Sequence, residues 1–189
     1  MSGGTALEPQ TVGPIQEAER LWRGAESELA RAGEDFAALC SALDLGIRAA
    51  QILAVLRIEP VRDRLPATIA ALLERPPAEV DPWRDVVHQP RALRFAEVID
   101  LLSDEDLECV TPHLHHGWED RTWSCRRSRG LAREGAALGL GRAQRDRLLV
   151  LAAYRNRIFE TPPPVRVDPA QITEAFPALR ELVESLRAE

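Results

Sequence analysis

Apolar residues recur at steps of three and four through most of this chain, and no segment alternates apolar and polar residues with period two. Leu39, Leu43, Ile47, Ala50 and Ala54 trace one stripe of a helix between Asp35 and Arg57. Ile172, Phe176, Leu179, Val183 and Leu186 trace another near the C-terminus. A side chain repeat near 3.6 buries one face of a helix, whereas a half-buried strand needs alternation. No Asn-Gly hairpin turn supplies the missing strand signal. The expected fold is therefore all-α: one helical bundle of about seven to eight helices, counted from the periodic stretches between breaks.

Prolines and glycines set those breaks. Residues 1–13 hold Gly3, Gly4, Pro9 and Gly13 with little apolar content and read as a disordered tail. Residues 14–189 read as one helical domain, with a possible sub-boundary near 76–90, where Pro76, Pro77, Pro82 and Pro90 cluster. Pro14 suits a first helical turn, Gly33 ends that helix, and Pro60 ends the next. Gly46 sits inside an otherwise strong helix pattern, which points to a close helix contact there. Ser103 followed by Asp104, Glu105, Asp106 and Glu108 has the form of an N-cap and an acidic first turn. The spacing then predicts helix from Trp118 to Gly139 with an interruption near Gly130. The run Leu148–Tyr154 is apolar all round, which predicts a central buried helix. Asp168-Pro169 caps the final helix, with Pro177 kinking or restarting it.

The chain has 189 residues, 45% hydrophobic and 29% charged, a balance that suits a packed domain. No apolar run reads as the roughly 20 residues that cross a bilayer, and the first residues lack a secretion pattern. These features imply a cytoplasmic protein without a membrane partner. Three cysteines, Cys40, Cys109 and Cys125, imply reduced thiols rather than a disulfide framework. Lysine is absent and every basic residue is arginine, which suits the coding bias of a GC-rich, bacterial genome.

Two constellations carry possible chemistry. Cys109, His113 and His116 step by four and three, so one unbroken helix would gather them on a face, with Cys125 completing a zinc tetrad. Against this stands Pro112 inside the spacing, and the alternative is ordinary packing with no cofactor. The second constellation is basic. Ten arginines lie between Arg121 and Phe159 against two acids, Glu134 and Asp146, a local excess of eight positive charges in a chain of net charge −6. Such a face could bind RNA or DNA through Arg126, Arg127 and Arg129, or pair with acids of the same chain or of a protein partner.

The sequence Leu148 to Glu160, LLVLAAYRNRIFE, followed by a proline-bearing loop and an amphipathic helix, resembles the signature helix of HEPN domains. That resemblance implies a small all-helical bundle of the kind found in bacterial toxin–antitoxin and anti-phage systems, many of them metal-independent ribonucleases that act as dimers. Arg155 and Asn156 take the Arg-Asn positions of the family motif. The histidine that follows in the family falls at or near Glu160, and no histidine occurs after His116. The resemblance therefore implies a nucleic-acid-binding relative without cleavage. No Gly-rich phosphate loop, nucleophile elbow or His-Glu-x-x-His motif occurs. The expectation for function is a non-enzymatic helical module that binds a protein partner or itself in a bacterial multi-protein system. The alternatives are a catalytically degenerate HEPN-like nucleic-acid module and a zinc-binding helical protein.

Overall fold

Proline at the start, a capping carboxylate and an apolar stripe recur at the helix starts of this chain. The computed structural model describes residues 13–33, 35–70, 73, 93–111, 121–160 and 166–188. Helix α1 spans Pro14–Arg31 with Pro14 in its first turn; Gly13 belongs to its N-cap rather than to a tail. Helix α2 spans Phe36–Ile58, and the Asp35 side chain accepts the backbone N–H groups of Ala37 and Ala38 at 2.9 and 3.3 Å. A tighter 3-10 stretch, Glu59–Arg64, carries Pro60 and leads to the short helix α3, Ala67–Ala70. Then come α4 (Phe95–Leu102), α5 (Arg121–Ala136), α6 (Arg142–Glu160) and α7 (Pro169–Arg187). At α7, Asp168 accepts the Ala170 N–H at 3.0 Å, and the helix runs unbroken through Pro177. The described residues are mostly helical with no strand, as the periodicity predicts. The tail expected at 1–13 and the boundary expected near 76–90 fall almost wholly outside the described residues.

The buried axis is α2, not the helix at 142–160. Eleven α2 residues are buried, and α2 packs against α1, α4, α5, α6 and α7. In α6 Leu148, Leu151, Ala152 and Tyr154 are buried, while Leu149 and Val150 are half-buried and Ala153 is exposed. The seven-residue apolar run is wider than the face it buries, because its flanks Arg147 and Arg155 keep α6 at the edge of the bundle. Helix α2 with its 3-10 extension, Phe36–Arg64, is long and apolar enough to cross a membrane by length and composition, contrary to the reading of the sequence. Half of its most apolar 18-residue window is buried inside the bundle, the state expected of a core helix.

Small residues set two close approaches. A Cβ built on Gly46 would stand 2.9 Å from Leu179 Cδ2 and 3.5 Å from Phe176 Cζ, the contact between α2 and α7 expected there. A Cβ on Gly135 would stand 2.6 Å from the Arg57 carbonyl oxygen, so α5 meets the end of α2 backbone to side. The same end of α5 is punctuated by Ala137, whose φ of 54° puts a Cβ in the left-handed region that glycine favours. Ala137→Gly is expected to raise stability by roughly 1 kcal/mol, read as a higher urea midpoint with unchanged slope.

Two local expectations need correction. Helix α5 is continuous through Gly130, and a Cβ there would stand 3.0 Å from Glu105 Oε1. The helix expected to begin at Ser103 does not form over residues 104–111, which run as turns and irregular chain. Ser103 instead closes α4: its hydroxyl donates to the Ile99 carbonyl at 2.6 Å, and its backbone forms an isolated bridge with Leu140.

Candidate functional site

The reason residues 104–111 are not helical is a set of charged side chains that take their backbone groups first. Asp100 sits on α4 and is 0% exposed. Its carboxylate accepts the N–H of Val110 at 3.0 and 3.1 Å and the N–H of Thr111 at 2.7 Å, together with the Thr111 hydroxyl. Arg129 of α5 is 1% exposed. It donates through Nη1 to the carbonyls of Asp104, at 3.0 Å, and Leu107, and its Nη2 lies 3.7 Å from Asp100 Oδ1. Arg145 of α6, also buried, donates to the Glu108 carbonyl at 2.6 Å. A helix over 104–111 would keep these carbonyls and amides for itself; here three buried charges hold them.

Electrostatics at this centre are finely opposed. Burial pushes the Arg129 guanidinium below its ordinary value, Asp100 pulls it back up, and nearby Arg145 lowers it again. A guanidinium stays charged in proteins, so the opposition is resolved by contacts rather than by loss of a proton. Glu97, one turn before Asp100 and equally buried, accepts the Arg94 N–H at 2.7 Å and starts α4. Outside this buried layer, Arg133 reaches Glu105 at 3.0 Å and Asp104 at 3.6 Å. Asp104 and Glu105 thus pair with Arg133 of α5 within one chain.

The sequence candidates are distributed by this arrangement. Arg129 departs from the expected polyanion face, because its guanidinium is sealed beneath residues 104–107. Arg126 and Arg127 are exposed on α5. Arg155 is half-buried, with Nε 3.2 Å from Asp44 Oδ1 of α2 and its guanidinium 5.8 Å from the centre of the Phe159 ring. Asn156 is exposed beside it. Of the expected zinc set, Cys109 and Cys125 come together, and they do so as a disulfide between residues 104–111 and α5. The two sulfurs meet, where the sequence expected thiols apart. The shared helix face is corrected as well, since Cys109 lies in irregular chain. His113 and His116 lie outside the described residues. Among the described residues no group of three or more His, Cys, Asp or Glu side chains is placed to hold a metal.

A second feature lies beside α1. An open groove of about 770 Å³ runs between α1, the end of α2 and the end of α7. Its floor is Trp22, Leu53, Leu56 and Leu186, and Ile15 stands at its lip, 59% exposed. Glu19, Arg23 and Glu26 of α1 give it a rim of both charges. Arg57 closes one end by donating to the carbonyls of Leu186 at 2.8 Å and Ala188 at 3.1 Å.

Asp100 was missed as a functional residue in the sequence, where 95–102 reads as an apolar stripe. The available signal was an acid flanked by Ile99 and Leu101, in register with the apolar face. No family model, no curated protein and no solved structure matches this chain. The class that fold and geometry define is an all-α domain in which Arg129, Arg133 and Arg155 of the arginine-rich half pair with carboxylates of the same chain.

Proposed function

We propose that this chain is a non-enzymatic interaction module, a single bundle of about seven to eight helices, that docks a helix of a protein partner in a bacterial multi-protein system. The observation that carries the reading is the groove beside α1, with its apolar floor, an exposed isoleucine at the lip and charges of both signs at the rim. Helix-in-groove recognition uses that combination: apolar anchors supply the affinity and rim charges set the register. Self-association through the same groove is the homotypic form of this reading.

Internal ion pairing supports protein contact over nucleic-acid contact. Arg129, Arg133, Arg145 and Arg155 are engaged by groups of the chain itself, which lowers the charge available for phosphates. The HEPN-like alternative would rest on Arg126, Arg127 and Asn156 as exposed groups, with Arg155 released from Asp44. Zinc is a second reading that one observation favours, the meeting of Cys109 with Cys125. In that reading His113 and His116 supply the remaining ligands of the reduced protein.

The test is affinity capture from native lysate by the full chain, with nuclease and chelator arms, beside light scattering of the pure protein. A partner or second copy should be retained by the wild type and weakened roughly tenfold or more by Ile15→Glu or Leu56→Glu. Helicity should be unchanged in both variants. Retention indifferent to both substitutions would remove the groove from the proposal. Retention lost only with nuclease would move it to nucleic acid, and stoichiometric zinc lost with chelator would move it to metal.

A further inference from the structure

We propose that Cys109 and Cys125 are a reversible dithiol–disulfide pair that clips the 104–111 stretch to α5 in response to a disulfide oxidant. The inference is independent of the groove. It rests on how the two sulfurs are brought together. Cys125 and Arg129 are four residues apart on α5, hence on one face of that helix. Both reach the same stretch of chain: Arg129 takes the carbonyls of Asp104 and Leu107, and Cys125 takes the sulfur of Cys109. On the other side, Asp100 holds the N–H of Val110, the residue after Cys109, and Arg145 holds the carbonyl of Glu108, the residue before it.

None of these contacts needs the sulfur–sulfur bond. Asp100, Arg129 and Arg145 fix the backbone on both sides of Cys109 whether the thiols are joined or free. The reduced protein therefore keeps its fold and keeps the two thiols facing each other, the two properties a reversible pair requires. A bond that the fold depended on would be structural instead. Disulfides that form in reducing compartments are commonly transient or sensing ones.

Exposure sets the order of events. Cys109 is half-buried in irregular chain, whereas Cys125 is buried on α5. The Cys109 thiolate attacks one sulfur of a small disulfide such as oxidised glutathione. The reagent's sulfur–sulfur bond breaks and one glutathione leaves as a thiol, carrying the proton. The Cys125 thiolate then attacks the Cys109 sulfur of the mixed disulfide and expels the second glutathione. Two electrons pass from the protein thiols to the reagent, whose disulfide becomes two thiols. The product closes a covalent ring across sixteen positions and limits how far that stretch can separate from α5. Cys40, on α2 and outside the pair, is a half-buried thiol that burial pushes up toward the protonated form, which lowers its share of reactive thiolate.

The experiment is a glutathione redox series on the full-length protein, read by alkylation and intact mass. The three thiols of the reduced chain should fall to one in a single step, with Cys40 remaining, and dithiothreitol should restore all three. Circular dichroism should show the same helicity in both states, with the oxidised form melting roughly 5–10 °C higher. Cys125→Ser should stop at one glutathione on Cys109, and Cys109→Ser should take none on Cys125. Loss of helicity on reduction would overturn the proposal by making the bond structural. Oxidation that consumes Cys40 together with the pair would overturn it, and so would zinc in the reduced protein that blocks oxidation.

Discussion

Asp100→Ala should destabilise the protein by roughly 3–5 kcal/mol, among the largest effects of any single side chain here. The loss does not measure the attraction between Asp100 and Arg129, which stand 3.7 Å apart at their nearest charged atoms. It measures what remains after the carboxylate goes: a buried guanidinium without its counter-charge, and the amides of Val110 and Thr111 without an acceptor. Arg129 Nε and Nη2 already lack hydrogen-bond acceptors among the described residues, so no reserve contact can absorb the loss. Urea denaturation at neutral pH, with the Cys109–Cys125 bond reduced, reads the effect directly. The double variant Asp100→Leu with Arg129→Met should recover roughly 1–2 kcal/mol relative to the sum of the single changes, because it removes both buried charges together. Strict additivity of the two single variants would show that they do not act as a pair.

This cluster also explains which parts of the molecule could be read from residues alone. Periodicity located α2 and α7, because their burial is a property of their own stripes: Leu39, Leu43 and Ile47, then Ile172, Phe176 and Leu179. Asp168 before Pro169 marked its own helix start, because a cap is local chemistry. Residues 104–111 could not be read in the same way. Their acidic run has the composition of a first helical turn, and local propensity alone would make it one. Asp100, Arg129 and Arg145, up to 37 positions away in sequence, compete for its backbone and win, since buried charges gain most from those groups. The arginine-rich span was visible as a charge imbalance, but the pairing of Arg133 with Asp104 and Glu105 and of Arg155 with Asp44 was a property of the packing. The meeting of Cys109 and Cys125 was legible only as a candidate set, because it depends on an irregular path that no spacing rule describes.

Phe176→Ala should cost roughly 3–5 kcal/mol, the range for emptying a large aromatic site in a packed core. Phe176 is buried where α7 crosses α2 and α1, with its ring stacked on Trp22 at 6.3 Å between centroids. Gly46 gives the prediction a sharper form, because it faces the same place. In the wild type, Gly46→Ala gains roughly 1 kcal/mol of helix propensity in the middle of α2. It also pushes a methyl to 2.9 Å from Leu179 Cδ2 and 3.5 Å from Phe176 Cζ, and overpacking costs roughly 1–3 kcal/mol, so the net effect is a loss. Removing the ring opens the space that the methyl needs, and Leu179 can then turn toward the vacated volume. In a Phe176→Ala background Gly46→Ala should therefore change sign and recover roughly 1 kcal/mol of the loss. Chemical denaturation of the four proteins in this cycle decides it. If the alanine at 46 is equally harmful with and without the ring, the contact that sets α7 against α2 does not run through Phe176.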